Sequence, residues 1–220
     1  MPRKSNESLE EERERHGYPR DRMTDAEFED ILLASSIDYM EVPARGWRCL
    51  LSIFWIFGKR VSEVVELRTA DIRVHTYRKA STGESITYLR VPFYIRKKKG
   101  GERPMRTKPV TTESKIVKDH ILPYVTECKE NHQRFLFPRE NTKHGHIYER
   151  YVWDYIQKLE PKAPIWTHLF RHTRATKMAQ LPRVTAWEFQ SWFDWSSLAQ
   201  ADAYLSKEGA PLLELGRRIE

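Results

Sequence analysis

Four short stretches of this 220-residue chain carry side chains suited to phosphate chemistry. In Gly58-Lys59-Arg60-Val61-Ser62-Glu63, an arginine follows a helix-stopping glycine and begins the next helix. There Arg60 and nearby backbone N–H groups can face an anion, and Glu63, one turn on, can orient the guanidinium. In Lys97-Lys98-Lys99-Gly100-Gly101, lysines on a glycine turn can reach a phosphate or donate a proton. In Thr167-His168-Leu169-Phe170-Arg171-His172, the spacing puts His168 and Arg171 on one helix face, where they can hold a phosphate and move a proton. The last stretch is Trp192 to Ser197, followed by Tyr204: Trp195 offers an indole N–H and Tyr204 a phenol nucleophile. Singly, each has an ordinary reading: a surface ion pair of little value, a solvated loop, or core aromatics. His168 and His172 also stand at a metal-ligand spacing, but no third ligand is near in sequence, so no metal site is expected.

Order and combination carry more weight than any one stretch. An arginine, a hairpin lysine, His-x-x-Arg, a His or Trp, and a tyrosine nine residues later form a set that resembles the tyrosine recombinase (phage integrase) family. The resemblance covers residues 24–206. "GKRVSE" is similar to the family's first-arginine box, "THLFRHTRAT" to its His-x-x-Arg box, and "WFDWSSLAQADAYL" to its final box. The "FRHTRAT" wording, and Trp where His is common, resemble archaeal or archaeal-virus members, which points to a mobile element.

The resemblance implies an α+β, mainly helical fold of the DNA breaking-rejoining type, with a small three-stranded antiparallel sheet. It implies that Arg60 and Arg171 clamp the non-bridging oxygens of a phosphodiester. His168 would bond the phosphate and assist proton transfer at Tyr204. Trp195 would donate to a phosphate oxygen, and a hairpin lysine would protonate the leaving 5′ oxygen. If strand alternation through Phe93 and Ile95 fixes the register, that lysine is Lys99; if Glu102-Arg103 fixes it, Lys98. Lys99 is the reading adopted, with Lys97, Lys98 and Arg103 as DNA contacts. Tyr204 would become joined to the 3′ phosphate. No cofactor and no metal are implied. Double-stranded DNA is the expected partner, with dimers or tetramers forming on it.

Two features depart from the family. Asp194 stands where glycine is usual, bringing a carboxylate near the phosphate unless it faces away or pairs with a basic residue. The family's N-terminal DNA-binding domain has no room in the residues before Thr24. A type IB topoisomerase, and an inactive DNA-binding module of the same fold, remain alternative readings.

The chemistry asks for such residues. A phosphodiester repels nucleophiles, and paired guanidinium groups neutralise its charge and that of the transition state. A free phenol, with a pKa near 10, is a weak nucleophile unless nearby cations favour the phenolate. The covalent intermediate conserves the energy of the broken bond, so rejoining needs no ATP.

These side chains need positioning elements. Thr24 and Glu27 form a capping box for a helix ending near Ser36. Pro43 opens a second helix, apolar on several faces, which Gly58 stops. A short helix is expected over 61–67. Between residues 72 and 110, β-branched and aromatic residues with turns at Ser81-Thr82-Gly83 and Gly100-Gly101 predict three antiparallel strands. Helices are expected at 112–130, 147–159, 168–180, 185–193 and 198–206. Residues 1–22 read as a charged flexible arm, 23–206 as the catalytic domain, and 207–220 as a polar tail.

Composition agrees with this reading. The net charge is +7 and the pI about 9.4, which favours a polyanionic partner. Cys49 and Cys128 are the only cysteines, which excludes a disulfide framework and fits a reducing cytoplasm. The apolar run from Cys49 to Phe57 is too short to span a bilayer, so no membrane association is expected.

Overall fold

A computed structural model describes residues 22–95, 104–162 and 164–207. Helix α1 (Asp25–Ala34) begins at the expected capping box: Thr24 accepts from the Glu27 N–H, and Glu27 accepts from the Thr24 N–H. Helix α2 (Ala44–Phe57) follows, with Pro43 as its N-cap residue. It is buried on nearly every side, because Trp47, Leu50, Leu51, Phe54, Trp55 and Phe57 leave no polar stripe. Aromatic stacks fix it in place: Trp55 lies 4.2 Å from Phe28 of α1, and Trp47 lies 4.0 Å from Tyr155.

Gly58 ends α2 in the left-handed conformation, with φ +57°. A Cβ there would also stand 2.8 Å from Phe193 and 2.9 Å from Arg174. Glycine is thus required twice over, for backbone sign and for close approach. The short helix α3 (Val61–Val65) starts immediately after Arg60.

Strands β1 (Arg73–Arg78), β2 (Ser85–Tyr94) and β3 (Met105–Thr111) form one antiparallel sheet in the order β1-β2-β3. Arg73 pairs with Arg90, and Val91 with Lys108. Leu89, Val91 and Phe93 alternate with more exposed residues only in part, because Pro92 is also buried at the end nearer the helices. Lys97, Lys98, Lys99 and Arg103, expected at the turn between β2 and β3, lie outside the described residues. So do the arm through residue 21 and the tail from residue 208.

The single helix expected over 112–130 is divided. A π-helical turn, Val117–Ile121, leads into helix α4 (Leu122–Glu130). Pro123 supplies the reason. It has no N–H to donate back, and its ring would crowd the carbonyl four residues earlier, so the chain widens ahead of it. Helices α5 (Glu149–Lys158), α6 (Thr167–Ala179), α7 (Ala186–Phe193) and α8 (Leu198–Lys207) complete the fold.

Two apolar clusters result. The larger surrounds α2 and takes residues from α1, the sheet, α4, α5 and the start of α6. The smaller holds Ala175, Met178 and Ala179 of α6 with Phe189, Phe193, Ala201 and Leu205 of α7 and α8. Trp192 packs against both and donates from Nε1 to the Phe57 carbonyl at 3.2 Å. Among the described residues no helix is long and apolar enough to cross a membrane.

Candidate active site

The end of α2, the start of α6 and the α7–α8 junction meet around Arg171. Its guanidinium is buried, and Nη1 donates to the Gly58 carbonyl at 2.9 Å while Nη2 donates to the Phe193 carbonyl at 2.8 Å. The same group lies over the rings of Phe193 and Trp195, at 5.0 and 5.7 Å. Burial, and then the charge of Arg60, push its pKa down to about 10, while Glu63, Tyr204 and Asp194 act in the opposite sense. The cation is therefore fixed in direction and placed where an anion would be welcome.

Arg60 stands beside it. Its Nη1 donates to Glu63 at 3.1 Å, and its backbone N–H donates to the other oxygen of the same carboxylate at 3.1 Å. Glu63 itself is buried, so Arg60 is held from its inner side and keeps about a third of its side chain exposed.

Asp194 is the C-cap residue of α7 and adopts φ +53°, a conformation that explains why glycine suits this position. Its carboxylate is not directed at a phosphate site unpaired. Lys59 donates to one oxygen, and Lys108 of β3 donates to the other at 2.9 Å. Each lysine also bonds a carbonyl at the end of α7: Lys59 that of Trp192 at 2.6 Å, and Lys108 that of Ser191. All three side chains are nearly inaccessible. Desolvation lowers the Lys59 pKa to about 8 despite the attraction of Asp194. The network ties the residue before Arg60, the strand leaving the lysine hairpin and the residue before Trp195 into one unit.

Tyr204 lies on α8. Its ring stacks on Trp195 at 5.4 Å and 18°, and its hydroxyl is 2.6 Å from Nδ1 of His172. Trp195 stacks in turn on Phe193 at 4.9 Å. His168 is exposed one turn before His172 on α6, on the face that carries Arg171. The structure thus gathers Arg60, Glu63, Arg171, Trp195 and Tyr204. Among the described residues no group of three or more His, Cys, Asp or Glu is placed to hold a metal ion.

Three participants carry no such role in the sequence reading, and Gly58 is read there only as a helix stop. His172 enters the sequence reading only as a possible metal ligand, although its adjacency to Arg171 puts it on the same turn. Lys59 and Lys108 give no signal beyond charge, because their shared partner Asp194 is distant in the chain.

A mainly helical domain with a small antiparallel sheet, gathering arginines, an indole and a tyrosine, defines the catalytic-domain fold of the tyrosine recombinases. The model of the phage integrase family matches residues 21–209, and the chain belongs to that family. A tyrosine recombinase of Pseudothermotoga lettingae is 26% identical over 154 residues, covering 69% of this chain and 47% of the relative. The XerH site-specific recombinase, solved in a pre-cleavage complex with its difH substrate, is similar over 84% of this chain and 50% of its own, with 18% identity and a TM-score of 0.59. The Tn1549 transposon integrase, solved with transposon right end DNA, matches over 90% of this chain and 66% of its own, with 16% identity and a TM-score of 0.56. The chain spans about half the length of the curated relative and of the XerH protein.

Proposed function

We propose that this chain is the catalytic domain of a site-specific DNA recombinase, which cuts and rejoins one DNA strand at a time through Tyr204. The observation that carries this reading is the convergence of Tyr204, Trp195, Arg171 and Arg60, with both nearby carboxylates already engaged by cations. Four cations against two carboxylates leave the site positive, which suits a phosphodiester.

In the proposed reaction Arg60 and Arg171 bind the two non-bridging oxygens, and Trp195 and His168 add hydrogen bonds to the phosphate. The Tyr204 oxygen attacks phosphorus, forming the 3′-phosphotyrosyl bond as the P–O5′ bond breaks. A lysine of the hairpin, Lys99 or Lys98, protonates the 5′ oxygen. Attack by a 5′ hydroxyl of a partner strand reverses these steps and frees Tyr204. Removing a preorganised donor at such a centre costs about 3 kcal/mol in the barrier, roughly a hundredfold in rate. Duplex DNA is the partner, Lys97, Lys98 and Arg103 add phosphate contacts, and further copies assemble on the duplex. Such work places the protein with the DNA of the cytoplasm.

The test uses nicked suicide duplexes with randomised flanks, incubated with the protein and analysed under denaturing conditions. A covalent protein–DNA band with a sequence preference, lost in Tyr204→Phe, is the expected result. Relaxation of supercoiled plasmid without site preference would instead mark a topoisomerase. DNA binding with no covalent band from the whole pool would mark an inactive module.

A further inference from the structure

We infer that His172, in place of His168, takes the phenolic proton of Tyr204 as the nucleophile attacks. The inference rests on the recombinase reading above. Its basis is the 2.6 Å contact between the Tyr204 hydroxyl and His172 Nδ1, within range for a strong O–H···N bond.

The geometry limits what the pair can do. For the hydroxyl to donate, Nδ1 must hold a lone pair, so the imidazole is neutral with its proton on Nε2. Transfer of the phenolic proton along this contact gives a phenolate and an imidazolium, and Nδ1–H then donates to the phenolate oxygen. The heavy atoms need not move. The O–H bond breaks, the N–H bond forms, and the electron pair left on oxygen makes the new bond to phosphorus. The reverse step returns the proton to Tyr204 when the strand is rejoined, so His172 ends neutral.

Neighbouring groups hold this pair in register. Trp195 stacks on the Tyr204 ring, and Phe189 packs against both. His172 follows Arg171 directly on α6, and the Arg171 guanidinium is anchored to two backbone carbonyls. The proton acceptor and the phosphate clamp are therefore carried by one rigid helical turn. The Arg171 cation also interacts favourably with a charged Tyr204, which lowers the cost of the phenolate as it forms. His168 lies one turn earlier and is exposed. In the proposed reaction the two histidines divide the work, one at the phosphate and one at the nucleophile.

Single-turnover formation of the covalent adduct on a captured nicked duplex tests this. His172→Ala should slow adduct formation on the order of a hundredfold, as expected for loss of general-base assistance. His172→Asn, which can keep an acceptor near the Nδ1 position but is no base, should be similarly slow while binding the duplex as tightly as the native protein. Replacing Tyr204 by a fluorinated tyrosine, whose phenol is more acidic, should restore most of the lost rate in both variants and change the native rate little. A merely structural defect would not be rescued in this way. Adduct formation at the native rate in His172→Asn, faster formation, or failure of the acidic tyrosine to rescue would each overturn the inference while leaving the recombinase reading intact. A native protein that forms no adduct on any duplex would overturn both.

Discussion

Asp194 shows how one side chain can be costly and necessary at once. It occupies a left-handed position, which costs a non-glycine residue about 1–2 kcal/mol. Yet it is the anion for two buried lysines. Asp194→Asn would leave both ammonium groups without a charged partner, and breaking a buried pair costs about 3–5 kcal/mol. Lys59→Met should cost far less, because Asp194 keeps Lys108. Chemical denaturation of the two variants measures the asymmetry, and equal losses would contradict it. The pH dependence has a defined sign. Folded Lys59 titrates near 8, below an ordinary lysine near 10.4. Between these values the unfolded chain binds a proton that the folded chain lacks, so the contribution of Lys59 to stability rises with pH, by up to about 1.4 kcal/mol per unit. Below pH 8 both states hold the proton and the contribution is flat. The stability of the native protein minus that of Lys59→Met should therefore grow from about pH 8 to pH 10. A difference independent of pH would mean that Lys59 is not held against its charge.

Among the elements, the junction of α2 with α6 and α7 depends most on a single position. Gly58→Ala meets two penalties: the left-handed backbone, at about 1–2 kcal/mol, and overpacking against Phe193 and Arg174, at about 1–3 kcal/mol. Gly83, in the β1–β2 turn, has φ +71°, but a Cβ there would meet only the end of the Arg78 side chain, at an ordinary contact distance of 3.8 Å, so Gly83→Ala meets only the first. The stability difference between the two variants isolates the packing penalty, and Gly58→Ala should also slow adduct formation because the Gly58 carbonyl anchors Arg171. Equal stability losses would show that the junction yields without cost. The same contrast explains what sequence could reveal. The capping box at Thr24, the stop at Gly58 and the apolar alternation of β2 are local signals, and those elements lie where they were expected. The π-turn before Pro123 was missed because a hydrogen-bond register shift leaves the apolar pattern almost unchanged. Arg60, Arg171, Trp195 and Tyr204 are legible as a motif. The Lys59–Asp194–Lys108 network is not, since its members lie on three separate segments and only folding brings them together.

Taken whole, the molecule has two unequal apolar clusters, and Tyr204, the proposed nucleophile, packs against the smaller one. The larger cluster is filled with Trp, Phe, Tyr and Leu side chains, whereas three of the seven buried members of the smaller one are alanines. Among the described residues, helix α8 contributes Ala201 and Leu205 to that buried set. Full burial of a leucine is worth about 1.5–3 kcal/mol, well short of the 5–15 kcal/mol that typically holds a domain together. The hydroxyl contact to His172 and the stack on Trp195 add to this without closing the gap. Helix α8 should therefore open locally, carrying Tyr204 away from His172 while α2 stays folded. Native-state hydrogen exchange resolves the two events. Amides of α2 should exchange only through global unfolding, with an opening free energy that falls steeply in denaturant. Those of α8 should exchange through a smaller opening, a few kcal/mol in depth and nearly insensitive to low denaturant. Leu205→Ala should lower protection in α8 and leave α2 close to its native value. If α8 amides instead share the opening free energy and denaturant slope of α2, the two clusters unfold as one unit. Tyr204 could then reach any position other than the one beside His172 only when the whole domain unfolds.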